Sequence, residues 1–209
     1  MPDIEMIKKQ AISGVKGLMA YPVMVDTEEE YKVGTGYKLP TVQEVSADAD
    51  LAENTIHADD AVYFKAREER GATLTFTLAE LPLELQAQVE GGSYDDILKK
   101  YTFPRGTPKP TLAFRNISHF VDNSGYRVEY AAVCDVLSVE YSGNKTTRGD
   151  NVEITPVNLI VYSKPRKVDG VRVVTYEPKD SAGLAAAEAD FIAGVLAAPV
   201  VEPEDPQEP

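Results

Sequence analysis

The chain has 209 residues, 43% of them hydrophobic and 26% charged, enough to bury a core in one domain and too apolar for a disordered one. Its 34 acidic residues against 21 basic ones leave a formal charge of −13, which excludes tight binding through nucleic-acid phosphates. Cys134 is the single cysteine, so no intrachain disulfide exists and no cysteine cluster can hold zinc.

The same acidity suits a surface that DNA slides past without adhering. Trp is absent, and 11 Tyr outnumber 6 Phe, a lean towards β-structure. The first residues, MPDIEMIKKQ, lack the basic start and apolar run of a signal peptide. No stretch approaches the roughly 18 apolar residues of a membrane span; residues 182–201 come nearest and are interrupted by Glu188, Asp190 and Pro199. The expectation is a chain made in the cytoplasm, without membrane insertion.

Along the chain, Ile4, Ile7, Ile12, Val15 and Leu18 alternate with polar positions too irregularly to define one element. A strand, an arm and a short helix all fit. Residues 21–25 read as extended and 40–45 as a strand start. Between them, residues 26–38 are acidic and glycine-punctuated, the pattern of a long exposed loop.

Residues 54–92 read NTIHADDAVYFKAREERGATLTFTLAELPLELQAQVEGG. An acidic segment leads to a strand in which Leu74, Phe76 and Leu78 alternate with Thr73, Thr75 and Thr77, giving an apolar face and a hydroxyl face. Pro82 then opens a helix of about two turns, because its missing N–H costs nothing in the first turn. Leu81, Leu85 and Val89 recur at helical spacing, and Gly91 with Gly92 supplies the stop. Residues 94–109 read as helical or irregular.

Strands follow at 111–117, 125–135, 137–141 (continuing the previous one through a bend), 151–163 and 168–176. Asn123, Ser124 and Gly125 mark a hairpin turn, as do Asp169 and Gly170. Many short strands at hairpin spacing with one packed helix predict a mainly β, antiparallel sandwich or barrel. Beyond Pro178 an alanine-rich stretch with Leu184, Phe191 and Ile192 suits a modest helix. The terminus, with Glu202, Glu204, Asp205 and Glu208 among prolines, reads as disordered. The expected division is a β-sandwich over 1–178 and a helix plus acidic tail over 179–209.

Convergent catalytic groups are scarce. His57 lies in the acidic segment and His119 at a strand end, and both read as isolated histidines rather than a metal pair. Adjacent carboxylates at Asp59 and Asp60, and at Asp95 and Asp96, point opposite ways on a strand, so neither is a natural acid/base dyad. Asp95 and Asp96 read as solvated, turn or cap residues. No nucleophile elbow, P-loop or dinucleotide fingerprint occurs; VGTGYK at 33–38 lacks the following helix with Lys-Ser/Thr. Arg148, Gly149 and Asp150 spell an adhesion tripeptide in what reads as a loop, and Cys134 reads as a buried, inert thiol. No cofactor and no enzymatic activity are expected.

In this order and spacing, residues 54–92, the strand PTLAFRNIS, GYRVEYAAVCDVLSVEY and TTRGDNVEITPVNLIVYSKP resemble the phi13-type family of major tail tube proteins of long-tailed bacteriophages. The matching features are Ala58, Asp59 and Asp60, the glutamate-containing approach to the alternating strand, the helix with its glycine stop, the strand at 126–132, and Arg148, Gly149 and Asp150. The resemblance covers about residues 40–176. It implies a tail-tube β-sandwich whose subunits close into six-membered rings, stacked into a tube through which DNA reaches the host.

The resemblance also implies location in the virion tail and partners: other copies of the chain, a tape-measure protein, a tail terminator, and baseplate or distal tail proteins. Under it, the 26–38 loop, with Glu28, Glu29, Glu30, Tyr31 and Lys32, is the candidate for contact between rings. Asp59, Asp60 and Asp150 are candidates for an assembly or lumen-facing acidic surface, and the threonine face lines either the lumen or the outside. The competing reading is a monomeric β-sandwich that binds a receptor or carbohydrate through exposed Tyr31, Tyr37 and Tyr101.

Overall fold

The computed structural model describes residues 12–40, 42–58, 61–141 and 156–193, with side chains at all of these except 12–13, 52–58 and 61–68. The chain is mainly β. Eleven strands are described: β1 (Ile12–Asp26), β2 (Tyr31–Val33), β3 (Tyr37–Lys38), β4 (Val42–Ala58), β5 (Ala61–Leu78), β6 (Ser93–Asp95), β7 (Lys100–Thr102), β8 (Thr111–Phe120), β9 (Tyr126–Tyr141), β10 (Val157–Lys164) and β11 (Val173–Tyr176). Two helices accompany them, α1 (Leu83–Glu90) and α2 (Ser181–Ala193).

The main sheet runs β2-β1-β8-β9-β10-β5-β4, with β11 beside β9 and β3 beside β1, while β6 and β7 form a separate hairpin. β9 holds the sheet's two layers together. Residues 126–135 of it pair with β8, whereas residues 133–141 pair with β10. At the crossing, Val136 and Ser138 face consecutive residues of β10, which leaves Leu137 as a bulge. This is the bend expected between 135 and 137.

Both layers turn one face inward. Leu74, Phe76 and Leu78 of β5 bury against Phe114 and Leu112 of β8, with the Phe76 and Phe114 rings 5.0 Å apart. Each such aromatic contributes a few kcal/mol by leaving water, about 3–5 kcal/mol on truncation to alanine. The strand alternation read from the sequence is therefore the alternation of core and outer face. β1 also comes against β4, so the sheet curls towards closure.

Helix α1 covers one end of this core, and its residues explain its limits. Pro82 sits at the N-cap with φ −56, Gly91 ends the helix in the left-handed conformation at φ 78, and Ala87 and Val89 are buried beneath it. In β1, Gly14 and Gly17 take φ 64 and 78 where the pairing with β8 slips, between Ser13 and Val15 and between Lys16 and Met19. Positive φ at a bulge is a position that glycine fills without strain.

Three expectations need correction. Residues 26–38 are not an open loop: β2 and β3 both pair with β1, and only residues 27–30 and 34–36 connect strands. The acidic stretch before 58 belongs to β4, and β5 starts at Ala61, so residues 51–58 and 61–69 pair with each other as a ribbon and with no other strand among the described residues. Within the stretch read as helical or irregular, residues 93–102 form the β6–β7 hairpin, with the Asp95 carboxylate accepting from the N–H groups of Ile97 and Leu98. That capping role matches the turn reading of Asp95.

A second core lies on the other face of β1, β8 and β9, under α2. Phe191 stacks on Tyr130 at 4.2 Å between ring centroids and meets Tyr21 and Tyr31 edge-on at 5.9 and 6.2 Å. Tyr31 is 4% exposed; its phenol donates to the Ala132 carbonyl, and the Arg166 guanidinium lies 4.9 Å over its ring. Arg166 is itself buried and paired with Asp169. The alanine-rich helix is thus packed into the body of the fold.

Candidate assembly interface

An unpaired strand edge exposes backbone donors and acceptors, and a natural protein covers it, charges it or pairs it with another chain. Among the described residues β4 pairs on one side only, with β5, from Val42 to Ala58, interrupted at Gln43 where the register shifts. β9 has a second open edge: on the side where β8 pairs with residues 126–135, residues 136–140 have no strand partner among the described residues. The four strands β4, β5, β10 and the end of β9 therefore make one layer with an open edge on either side.

The outer face of that layer is polar. Thr73, Thr75 and Thr77 face Asp48, Ser46 and Glu44 across the β4–β5 pair and Tyr162, Ile160 and Asn158 across the β5–β10 pair. The Thr77 hydroxyl donates to Asn158 Oδ1 at 3.1 Å, and the Tyr162 phenol donates to the Asp50 carboxylate at 2.9 Å, which holds that phenol above its usual range. Lys164 pairs with Asp135 at 2.6 Å. Glu44, Asp48 and Asp50 remain exposed on β4, so the face carries more acid than base. The threonines lie on this acidic outer face, opposite the core.

The β1–β2 turn is compact and held from several sides. Thr27 Oγ1 accepts from Glu30 N at 3.0 Å, and the Lys167 N–H donates to the Asp26 carboxylate at 3.0 Å. Glu28, Glu29 and Glu30 are exposed, and Lys32 pairs with Glu30 at 3.2 Å. Of the five residues assigned to an inter-ring contact, Tyr31 is buried in the second core and is unavailable for one. Burial also removes it from any tyrosine platform. Tyr37 is half-buried, and Tyr101 donates to Glu90 at 2.8 Å. Asp59, Asp60 and Asp150 lie outside the described residues.

Cys134 is fully buried, and burial pushes its thiol up to about 12. The His119 ring meets that of Tyr126 at a tilt, 4.7 Å between centroids, and the His57 side chain is not described. Among the described residues no three His, Cys, Asp or Glu side chains are placed to hold a metal ion, and no helix is long and apolar enough to cross a membrane. Sequence reading missed the open edge of β9. The signal was present in the proline- and glycine-rich run at 104–110, which cannot continue as a partner strand.

No protein-family model matches the sequence, and no curated protein does. Solved structures similar to the chain include two from phage-like particles. One is the tube-terminating cap of the anti-feeding prophage, with 9% identity, 77% of this chain and 87% of that one covered, and a TM-score of 0.42. The other is a sheath–tube complex of an extracellular contractile injection system in its extended state, with 10% identity, coverage of 85% and 99%, and a TM-score of 0.43. With TM-scores below 0.5, neither likeness bears on function. The phi13-type resemblance rests on the sequence motifs alone.

Proposed function

We propose that the chain is the repeating subunit of a phage-type tail tube. Copies join through the open edge of β4 on one subunit and the open edge of β9 on the next, and the rings so closed stack into a tube. The observation that carries this reading is the position of the two open edges, which flank one four-stranded layer with an acidic outer face. Two different edges on one subunit make a heterologous contact, the kind that closes into a ring. The motif resemblance supplies the copy number of six, the virion tail as the location, assembly in the host bacterial cytoplasm, and the tape-measure, terminator and baseplate partners.

The acidic, hydroxyl-bearing face then lines the lumen. Phosphates are held by Lys and Arg, and release of their counterions drives the binding. A wall of Glu44, Asp48, Asp50 and threonine hydroxyls offers neither, so DNA passes without being retained. In this reading the chain is a structural component and performs no catalysis. The burial of Tyr31 weakens the competing reading of a monomeric receptor- or carbohydrate-binding module.

The test is negative-stain microscopy of the purified chain. Rings or tubes are the expected result; a chain that stays monomeric at high concentration and binds glycans overturns the proposal.

A further inference from the structure

The edge of β1 opens before β3 begins to pair with it. β3 covers only Met19 and Ala20, and the Leu39 N–H reaches the Leu18 carbonyl at 3.0 Å, so residues 12–17 have no strand on that side among the described residues. A groove of about 910 Å³ runs beside this edge. Its volume is near the top of the range of ligand clefts, room for a turn of a few residues. Val15, Leu39 and Leu85 make an apolar floor, and Lys16 and Lys38 stand exposed on its wall. Neither lysine has an ion-pair partner among the described residues. Arg115 also lines the groove but is neutralised by Glu188 at 2.7 Å, which leaves Glu80 as the opposing carboxylate.

The opposite end of the same strand carries the acidic β1–β2 turn. Glu28 lies twelve positions after Lys16, roughly 35–40 Å along an extended strand. Glu28 and Glu29 are exposed and have no basic partner among the described residues, on a turn already fixed by Thr27 and by the bond from Lys167 to Asp26. A turn fixed in advance loses little freedom on docking. We propose that the turn bearing Glu28 and Glu29 of one copy docks into the groove beside Lys16 and Lys38 of a copy in the next ring. A shift along β1 by one subunit length brings unlike charges together at every step, so the contact repeats along a stack. This inference rests on the tube reading and names the receptor of its inter-ring contact.

Charge reversal tests it. The variants Glu28→Lys/Glu29→Lys and Lys16→Glu/Lys38→Glu change exposed side chains, and circular dichroism checks that each folds. Each is expected to form rings but to yield about tenfold less pelletable tube, because like charges then meet at the contact. The chain carrying all four substitutions is expected to recover tubes. A second measurement pairs Lys16→Cys with Glu29→Cys, which should form disulfide ladders between copies while buried Cys134 stays unreactive. Normal tube growth by Glu28→Lys/Glu29→Lys overturns the inference and leaves the tube reading intact; it is the result expected if residues 1–11 fill the groove instead. A fourfold variant no better than either double variant, with rings present, also overturns it. A wild-type chain that never forms rings overturns both readings.

Discussion

The phenol of Tyr21 donates a 2.6 Å hydrogen bond to the carboxylate of Glu188, joining residues 167 positions apart and pinning α2 to the first strand. The other oxygen of the same carboxylate takes the Arg115 guanidinium at 2.7 Å. One acidic side chain on an alanine-rich helix thus satisfies groups from β1 and β8.

Glu188→Ala leaves Arg115, whose side chain is only 12% exposed, without its counter-charge. The expected loss is about 1–3 kcal/mol, below that of a fully buried pair because water still reaches Glu188. Glu188→Gln keeps an acceptor for Tyr21 and should lose less. Urea denaturation of the three proteins measures both differences.

Phe191 anchors the far end of α2 at 1% exposure against Tyr130, Tyr21 and Tyr31. Truncation to alanine removes the stacked ring and leaves a cavity, at about 3–5 kcal/mol. Limited proteolysis should then cut near residues 180–193 in the variant under conditions where the wild type is resistant. Equal resistance would show that α2 is held without its aromatic anchor.

Alkaline pH should weaken the fold. Burial raises the phenols of Tyr21, Tyr31 and Tyr130 above their usual 10, Tyr130 to about 12, and raises the Cys134 thiol from 9.0 to about 12. These groups hold their protons more tightly folded than unfolded. Their contribution is therefore fully present below the unfolded values, about pH 9–10, and is lost as pH rises through the folded ones. Each group steepens the fall by up to about 1.4 kcal/mol per pH unit in that window. Denaturation midpoints measured from pH 7 to 12 should stay flat to about pH 9 and then decline.

Reversing charge on the outer face of the β4–β5 layer tests the lumen assignment. Asp48 and Thr73 are paired across the two strands. Asp48→Lys/Thr73→Lys should leave ring formation intact while making the assembled tube retain DNA at low salt, with retention falling steeply as salt rises. Retention on the outside of tubes, seen as nuclease-sensitive DNA, would place this face away from the lumen.

The sequence by itself determined those elements whose signals are local. The alternation of Leu74, Phe76 and Leu78 with threonines specified a half-buried strand, and Pro82 with Gly91 bracketed α1. The turn at Asn123, with its φ of 56, was legible from turn chemistry alone. Tertiary structure decided what those elements meet. The three residues of β2 are too short to show a period. Tyr31 is buried only because Ala132, Arg166 and Phe191, all distant in sequence, converge on it. Strand alternation separates two faces without saying which one meets water. That choice came from the curl of the sheet, which closed the apolar face and left the threonines beside Glu44 and Asp48. The open edge of β9 had a trace in the prolines at 104–110, but the open edge of β4 was invisible in the sequence, because an edge is open only when no other segment of the chain reaches it.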